Sequence, residues 1–165
     1  MKILGVAGWS GSGKTTLILE LIAAFARRGL VVSTMKRAHH DFDIDSPGKD
    51  SYRHRHAGAS EVIVASDRRW ALIHELRDAE PPTFEALIAH LTPVDLLIVE
   101  GFKHHAHPKL EVFRSSVGKT MLWPSDPEIF AVASDAELAD CALPLLNLND
   151  PLGIADFLFA KLFVA

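Results

Sequence analysis

The nine residues GWSGSGKTT, from Gly8 to Thr16, constrain this chain more than any other stretch. They satisfy G-x-x-x-x-G-K-[ST] from Gly8 to Thr15, and the flanking residues fit the mechanics of that motif. Lys2 to Ala7 is a short apolar strand run, whereas Leu17, Leu21, Ala24 and Phe25 recur at helical spacing between Thr16 and Arg28. Glycines at a strand-to-helix turn let backbone N–H groups close around phosphate oxygens, and the start of the helix adds partial positive charge. A nucleotide's phosphates therefore belong at Gly8, Ser10, Gly11, Ser12, Gly13, Lys14, Thr15 and Thr16. Lys14 should reach the β and γ phosphates and the Thr15 hydroxyl should ligate Mg²⁺. The alternative is a glycine-rich turn with an exposed lysine.

The rest of the chain reads as an alternation of strands and helices. Gly29 suits a helix C-cap, and LVVSTM, from Leu30 to Met35, suits a buried second strand, making a βαβ unit whose crossover should be right-handed. Lys36 to Gly58 is polar and charged, with a turn at Pro47-Gly48, and reads as surface. Ser60 to Ser66 and Arg69 to Glu75 are β-rich on either side of Asp67-Arg68, as in a hairpin or two adjacent strands. Pro81-Pro82 breaks the chain before Thr83, an N-cap for a helix over Phe84 to Leu91. VDLLIVEG from Val94, then KLEVFR, IFAVAS and ALPLLNLND supply further strands, and Pro151 opens a terminal helix to about Phe163. The fold class is α/β, a P-loop NTPase fold with a mostly parallel central sheet flanked by helices and an antiparallel extension from the central region. We expect one nucleotide-binding domain over residues 1–165.

Composition narrows the function. A chain of 165 residues can bury about 70% of its unfolded surface, and 48% hydrophobic with 23% charged residues is globular usage. A net charge of −4 argues against a general nucleic-acid surface, which needs clustered Lys and Arg. Cys141 is the only cysteine, so no internal disulfide forms; a reducing, cytoplasmic setting and a packed role for that thiol follow. The apolar run ILGVAG is too short for a secretory segment, and no run of eighteen apolar residues occurs to span a membrane.

Several groups outside the glycine loop carry candidate chemistry. Glu100 ends the apolar strand LLIVE, where nucleotide folds set an acid near Mg²⁺ or the attacking water. Asp95, at the opposite end, is expected to be structural. Asp41, Asp43 and Asp45 alternate in HHDFDID and share one face if extended, so that Asp45 or a neighbour could meet the metal; a solvated ribbon is the other reading. His39, His40, His54, His56, His104, His105 and His107 lie in two loop regions, either a transition-metal patch or polar surface. Lys36, Arg37, Lys49, Arg53 and Arg55 offer an anion contact or solvated charge. NLND, Asn147 to Asp150, sits where GTP-binding folds carry an Asn-Lys-x-Asp base reader, but Leu148 replaces the lysine, and either polar residue can instead cap the last helix. AVASD, ending at Asp135, is a second candidate base loop. The chain has no glutamine, and no residue stands out in sequence as an arginine finger.

Taken together, GWSGSGKTTL, KRAHHDFDIDSPGKDSYRHRHAGA, VIVASDRRWAL, LLIVEGFKH and LPLLNLNDPLGIADFL resemble the molybdopterin-guanine dinucleotide biosynthesis protein B family over nearly the whole chain. The glycine loop is common to many NTPases; HHDFDIDSPGKDS and VEGFKH in this order are more particular. The resemblance implies a homodimeric GTP-binding protein with weak GTPase activity, central strands crossing the subunit interface. It would assist a separate molybdopterin guanylyltransferase, and other proteins of molybdenum cofactor synthesis, in attaching GMP. By position, Gly8 and Ser10 to Thr16 match the family's phosphate loop and Glu100 its acidic strand end, while His39, Asp41, Asp45, Lys49 and Asp50 lie in its distinctive loop, a place for a partner or the pterin. The stretch between EGFKHHAHPKLEVFR and IFAVASD is short and holds Trp123 and Pro124. A small-molecule kinase and a metallochaperone GTPase are the rival readings.

Overall fold

Six parallel strands form the central sheet, and their order positions everything else. In the computed structural model, which describes residues 1–38 and 42–164, β1 (Lys2–Ala7) leads through the glycine loop into α1 (Lys14–Arg27), and β2 (Val32–Lys36) follows. β5 (Leu96–Glu100), β6 (Lys109–Phe113), β7 (Ile129–Ser134) and β8 (Leu145–Asn147) complete the sheet in the order β2-β5-β1-β6-β7-β8. β1 is therefore central, paired in parallel with β5 from Lys2↔Leu96 to Val6↔Glu100 and with β6 from Gly5↔Lys109 to Ala7↔Glu111. The strands' carboxyl ends gather at the glycine loop, the edge at which open α/β sheets hold their ligands.

Residues 1–37 and 92–165 form one compact unit, and residues 38–91 form another. In the first, alternation along the buried strands puts Leu4, Val6, Leu96, Ile98, Leu110, Val112, Ala131 and Ala133 in one core with Leu17, Leu21 and Phe25 of α1. α4 (Pro151–Phe159) adds Ile154, Ala155 and Leu158 to the same core and packs on α1. Pro151 occupies its first turn and Asp150 caps it, accepting from the Gly153 amide at 3.0 Å. The helical run continues to Val164 as a π turn over Ala160–Val164. Asp95 is structural as expected: its carboxylate accepts from the Val31 amide at 2.7 Å and ties down the entry to β2. Cys141 is half-buried rather than packed in the core, and it lies in the irregular stretch between β7 and β8.

In the second unit, β3 (Glu61–Ala65) and β4 (Trp70–His74) pair antiparallel as a separate two-stranded ribbon, turning at Ser66–Arg69. Thr83 caps α3 (Phe84–Ala89), its Oγ1 accepting from the Ala86 amide at 3.2 Å. The expected surface segment also holds a helix, α2 (Asp50–His56). It has no buried residue, so no apolar period announced it. Asp50 stands in its first turn, and Arg53, His54, Arg55 and His56 in its last, each sign at the end the helix dipole favours. Tyr52 stacks on His56 at 3.9 Å, a pairing that the i, i+4 spacing of a helix permits. Among the described residues no helix is long and apolar enough to cross a membrane.

Candidate functional site

The glycine loop reaches α1 through two backbone conformations that side chains resist. Gly8 sits at φ +141°, and a Cβ there would collide with the Val112 carbonyl and come within 2.9 Å of Ser12 Oγ. Gly13, at φ +97°, is the N-cap of α1 and offers no side chain to the first-turn amides. The Leu17 amide bonds the Gly13 carbonyl at 3.0 Å and closes the first turn of α1. The turn from Lys14 thus presents N–H groups without a side-chain cap, which is the physical requirement for holding an anion. Ser12 is only 2% exposed, and its Oγ has no hydrogen-bond partner among the described residues. A buried hydroxyl left so costs about 1–3 kcal/mol.

Lys14 curls over this loop, its Nζ donating to the Trp9 carbonyl at 2.8 Å. Burial lowers its pKa, the Glu100 carboxylate opposes that shift, and the Lys36 ammonium adds to it. Glu100 ends β5 with its carboxylate 3.4 Å from Lys36 Nζ. Thr15 and Thr16 are exposed at the start of α1. The structure brings Lys14, Glu100 and Lys36 into one electrostatic group at the start of α1. A hydroxyl and one carboxylate are hard oxygen donors of the kind Mg²⁺ takes, with water and phosphate completing its shell. Among the described residues no three His, Cys, Asp or Glu gather to hold a metal ion by themselves.

The short stretch between β6 and β7 is what sequence reasoning missed. Glu111, fully buried in β6, accepts from the amides of Leu122 at 2.7 Å and Trp123 at 2.9 Å. Burial pushes its carboxyl pKa up, and the two N–H donors pull it back. Lys109, also buried in β6, pairs with Asp126 at 3.1 Å. Residues 109 and 111 share a strand face, so two buried charges pin the following segment against the sheet. That segment meets the glycine loop: the Trp9 indole donates to the Thr120 carbonyl at 2.7 Å, and Lys119 Nζ stands 5.8 Å from the Trp9 ring centroid. Arg114 Nε lies 3.4 Å from the Ser12 carbonyl, and its Nη1 3.4 Å from Asp135 Oδ2. An arginine that nothing in the sequence singled out thus stands beside the loop. The signal was present in KLEVF, whose alternate charged residues inside an otherwise buried strand call for partners.

The remaining predicted residues have local work. Asn147 Oδ1 accepts from the Asn149 amide at 2.9 Å, ahead of the helix, and Asp150 caps α4, the alternative reading for that residue. Asp135, the second base-loop candidate, accepts from the Ser115 amide at 3.1 Å besides facing Arg114. In the second unit, Asp45 Oδ1 accepts from the Ser46 amide and the Ser51 hydroxyl, and its Oδ2 lies 3.5 Å from Arg55 Nε. Lys49 is the N-cap residue of α2, and Asp50 pairs with Arg53 at 3.6 Å. His39, His40 and Asp41 lie outside the described residues. His107 is buried near Lys109; burial and that ammonium lower its pKa to about 4.

Residues 3–135 match the family of molybdopterin guanine dinucleotide synthesis protein B, MobB. The chain is 44% identical over 160 residues to the molybdopterin-guanine dinucleotide biosynthesis adapter protein of Escherichia coli K12, covering 95% of this chain and 91% of that one. It is 40% identical over 158 residues to the adapter protein of the same description from Haemophilus influenzae, covering 96% and 88%. Among solved structures, a crystal structure of molybdopterin-guanine biosynthesis protein B superposes with a TM-score of 0.73 at 26% identity, over 97% of this chain and 99% of that one. The MobB homologue of Bacillus stearothermophilus gives 0.70 at 27% identity over the whole of both.

Proposed function

The chain belongs to the MobB family, and from that footing we propose that it binds GTP with Mg²⁺ at the glycine loop and hydrolyses it slowly. As a family member it is a molybdopterin-guanine dinucleotide biosynthesis adapter. The observation that carries the nucleotide reading is the uncapped start of α1 with Lys14 folded over it and Glu100 facing the same charge group. Amides from Gly11 to Thr16 would cradle the phosphates, and Lys14 would leave the Trp9 carbonyl for a phosphate oxygen, exchanging a neutral acceptor for a charged one. Thr15 and Glu100 would hold Mg²⁺, which when bound supplies positive charge against the β and γ oxygens. The chain contains no glutamine to orient a water, so turnover is slow until a partner protein completes the site. The partner this reading names is the molybdopterin guanylyltransferase that attaches GMP, with other proteins of molybdenum cofactor synthesis.

A homodimer is part of the same reading. Ile63, Val64 and Trp70 stand exposed on the β3–β4 ribbon, apolar area of the kind that associating surfaces cover. Sedimentation at micromolar concentration should give twice the monomer mass, and a monomer would overturn it. The activity is tested by titrating GTP and ATP calorimetrically with Mg²⁺ and following phosphate release. GTP should bind more tightly than ATP, with turnover well under about 1 s⁻¹; ATP preference, or turnover above that rate, would contradict the proposal.

A further inference from the structure

Arg114 is placed where a nucleotide's phosphates would meet it. It leaves the end of β6 and runs to the glycine loop, 102 positions away in sequence, with Nε 3.4 Å from the Ser12 carbonyl. Nη1 faces Asp135 Oδ2 at 3.4 Å, and Asp135 is itself anchored by the Ser115 amide at 3.1 Å and lies at the end of β7. The third nitrogen, Nη2, has no protein acceptor among the described residues, and an added Cβ at Gly13 would come within 3.3 Å of it. The guanidinium is thus oriented by two contacts while one edge remains open, and its side chain is 36% exposed. Gly13 directly precedes Lys14, the residue whose ammonium reaches the β and γ phosphates in this motif. A guanidinium presents its donors in a fixed fork suited to phosphate oxygens.

Resting on the nucleotide reading above, we infer that Arg114 is a cation supplied from within the chain to the β-phosphate and beyond, held ready beside the glycine loop by Asp135 and the Ser12 carbonyl. It would share the charge of the phosphate chain with Lys14 from the opposite strand neighbour of β1: Glu100 and Lys36 mark the β5 side of the loop, Arg114 the β6 side. This also gives Asp135 an occupation. Its carboxylate is engaged with Arg114 and Ser115 and is a positioning group for the arginine rather than an open acceptor for a base.

The test compares GTP, GDP and GMP affinities of the full chain, of Arg114→Ala and of Arg114→Lys by calorimetry at two salt concentrations, with melting of each unliganded protein as control. Arg114→Ala should bind GTP and GDP roughly tenfold more weakly, a loss expected for one charge-assisted contact, while GMP affinity and melting stay near those of the parent. The salt dependence of GTP binding should flatten. Arg114→Lys keeps the charge without the fork, so it should recover part of the loss, and it serves as the reading should the alanine variant fail to fold. Equal weakening of all three nucleotides, or GTP affinity unchanged in both variants, would overturn the role of Arg114 alone. A parent protein that binds no GTP would overturn the nucleotide reading and this inference with it.

Discussion

Two arginines organise the two units of this chain, and they differ in how completely they are used. Arg55, in the second unit, has a side chain only 9% exposed and directs its guanidinium at three protein carboxylates. Nη1 donates to Glu75 at 2.6 Å, Nη2 to both oxygens of Asp43 at 2.8 and 2.9 Å, and Nε faces Asp45. Those partners raise the guanidinium's pKa, and hydrogen bonds from the Asp45 amide and Arg55 lower that of Asp43. Through Arg55 of α2, the cluster joins the residues before that helix to Glu75, just past the end of β4. Arg114 makes longer contacts, keeps one nitrogen open and stays partly in solvent. A guanidinium whose two Nη groups are both bonded to carboxylates of the fold ties segments together; one with an open Nη beside the glycine loop still has a donor to offer.

Removing each support in turn sharpens the contrast. Arg55→Ala should have the broadest effect: three carboxylates lose their common cation, so residues 42–75 should become sensitive to limited proteolysis while GTP affinity is unchanged. A variant as protease-resistant as the parent would show that the cluster is ornamental. Glu111→Ala comes next, on the Arg114 side. It leaves the half-buried amides of Leu122 and Trp123 without their acceptor, a loss of about 2 kcal/mol by chemical denaturation. It should also loosen the segment that meets Trp9 and Arg114, so GTP affinity falls here and not in the Arg55 variant. Stability within error of the parent would contradict the anchoring role.

The smallest effect is a pH slope. His107 titrates near 4 in the folded chain and at 6.5 when unperturbed, with burial as the main cause and Lys109 and His105 adding to it against Asp126. Between those values the unfolded chain binds the extra proton, so stability from this group is complete above pH 6.5 and falls as pH drops towards 4. His107→Asn should flatten the melting temperature against pH in that window. An unchanged slope would remove His107 as its cause.

The parts of this architecture set by local chemistry were legible beforehand. The glycine loop, the apolar strands around Leu4, Ile98 and Val132, and the capping by Thr83 and Asp150 each follow from a few adjacent residues. α2 was not legible, because a helix with no buried face leaves no period, only the charge order of Asp50 against Arg53 to His56. Arg114 was not legible either: its meaning comes from a loop 102 residues earlier and a carboxylate 21 later, brought together by strand order β1-β6-β7. The described acids of HHDFDID, Asp43 and Asp45, show a different case. Either a metal site or a solvated ribbon fits Asp43 and Asp45 in sequence; in the fold Asp43 pairs with Arg55, while Asp45 Oδ1 accepts from Ser46 and Ser51 and its Oδ2 lies 3.5 Å from Arg55 Nε.

The central claim is that the uncapped start of α1 and Lys14 form a phosphate site. Calorimetric titration of GTP with Mg²⁺ into the parent protein and into Lys14→Ala tests it directly. The parent should bind saturably, and the variant about 100-fold more weakly, the loss expected when a charged donor to phosphate is removed, with both melting alike. Equal affinity in the two proteins, or no binding by the parent, would contradict it.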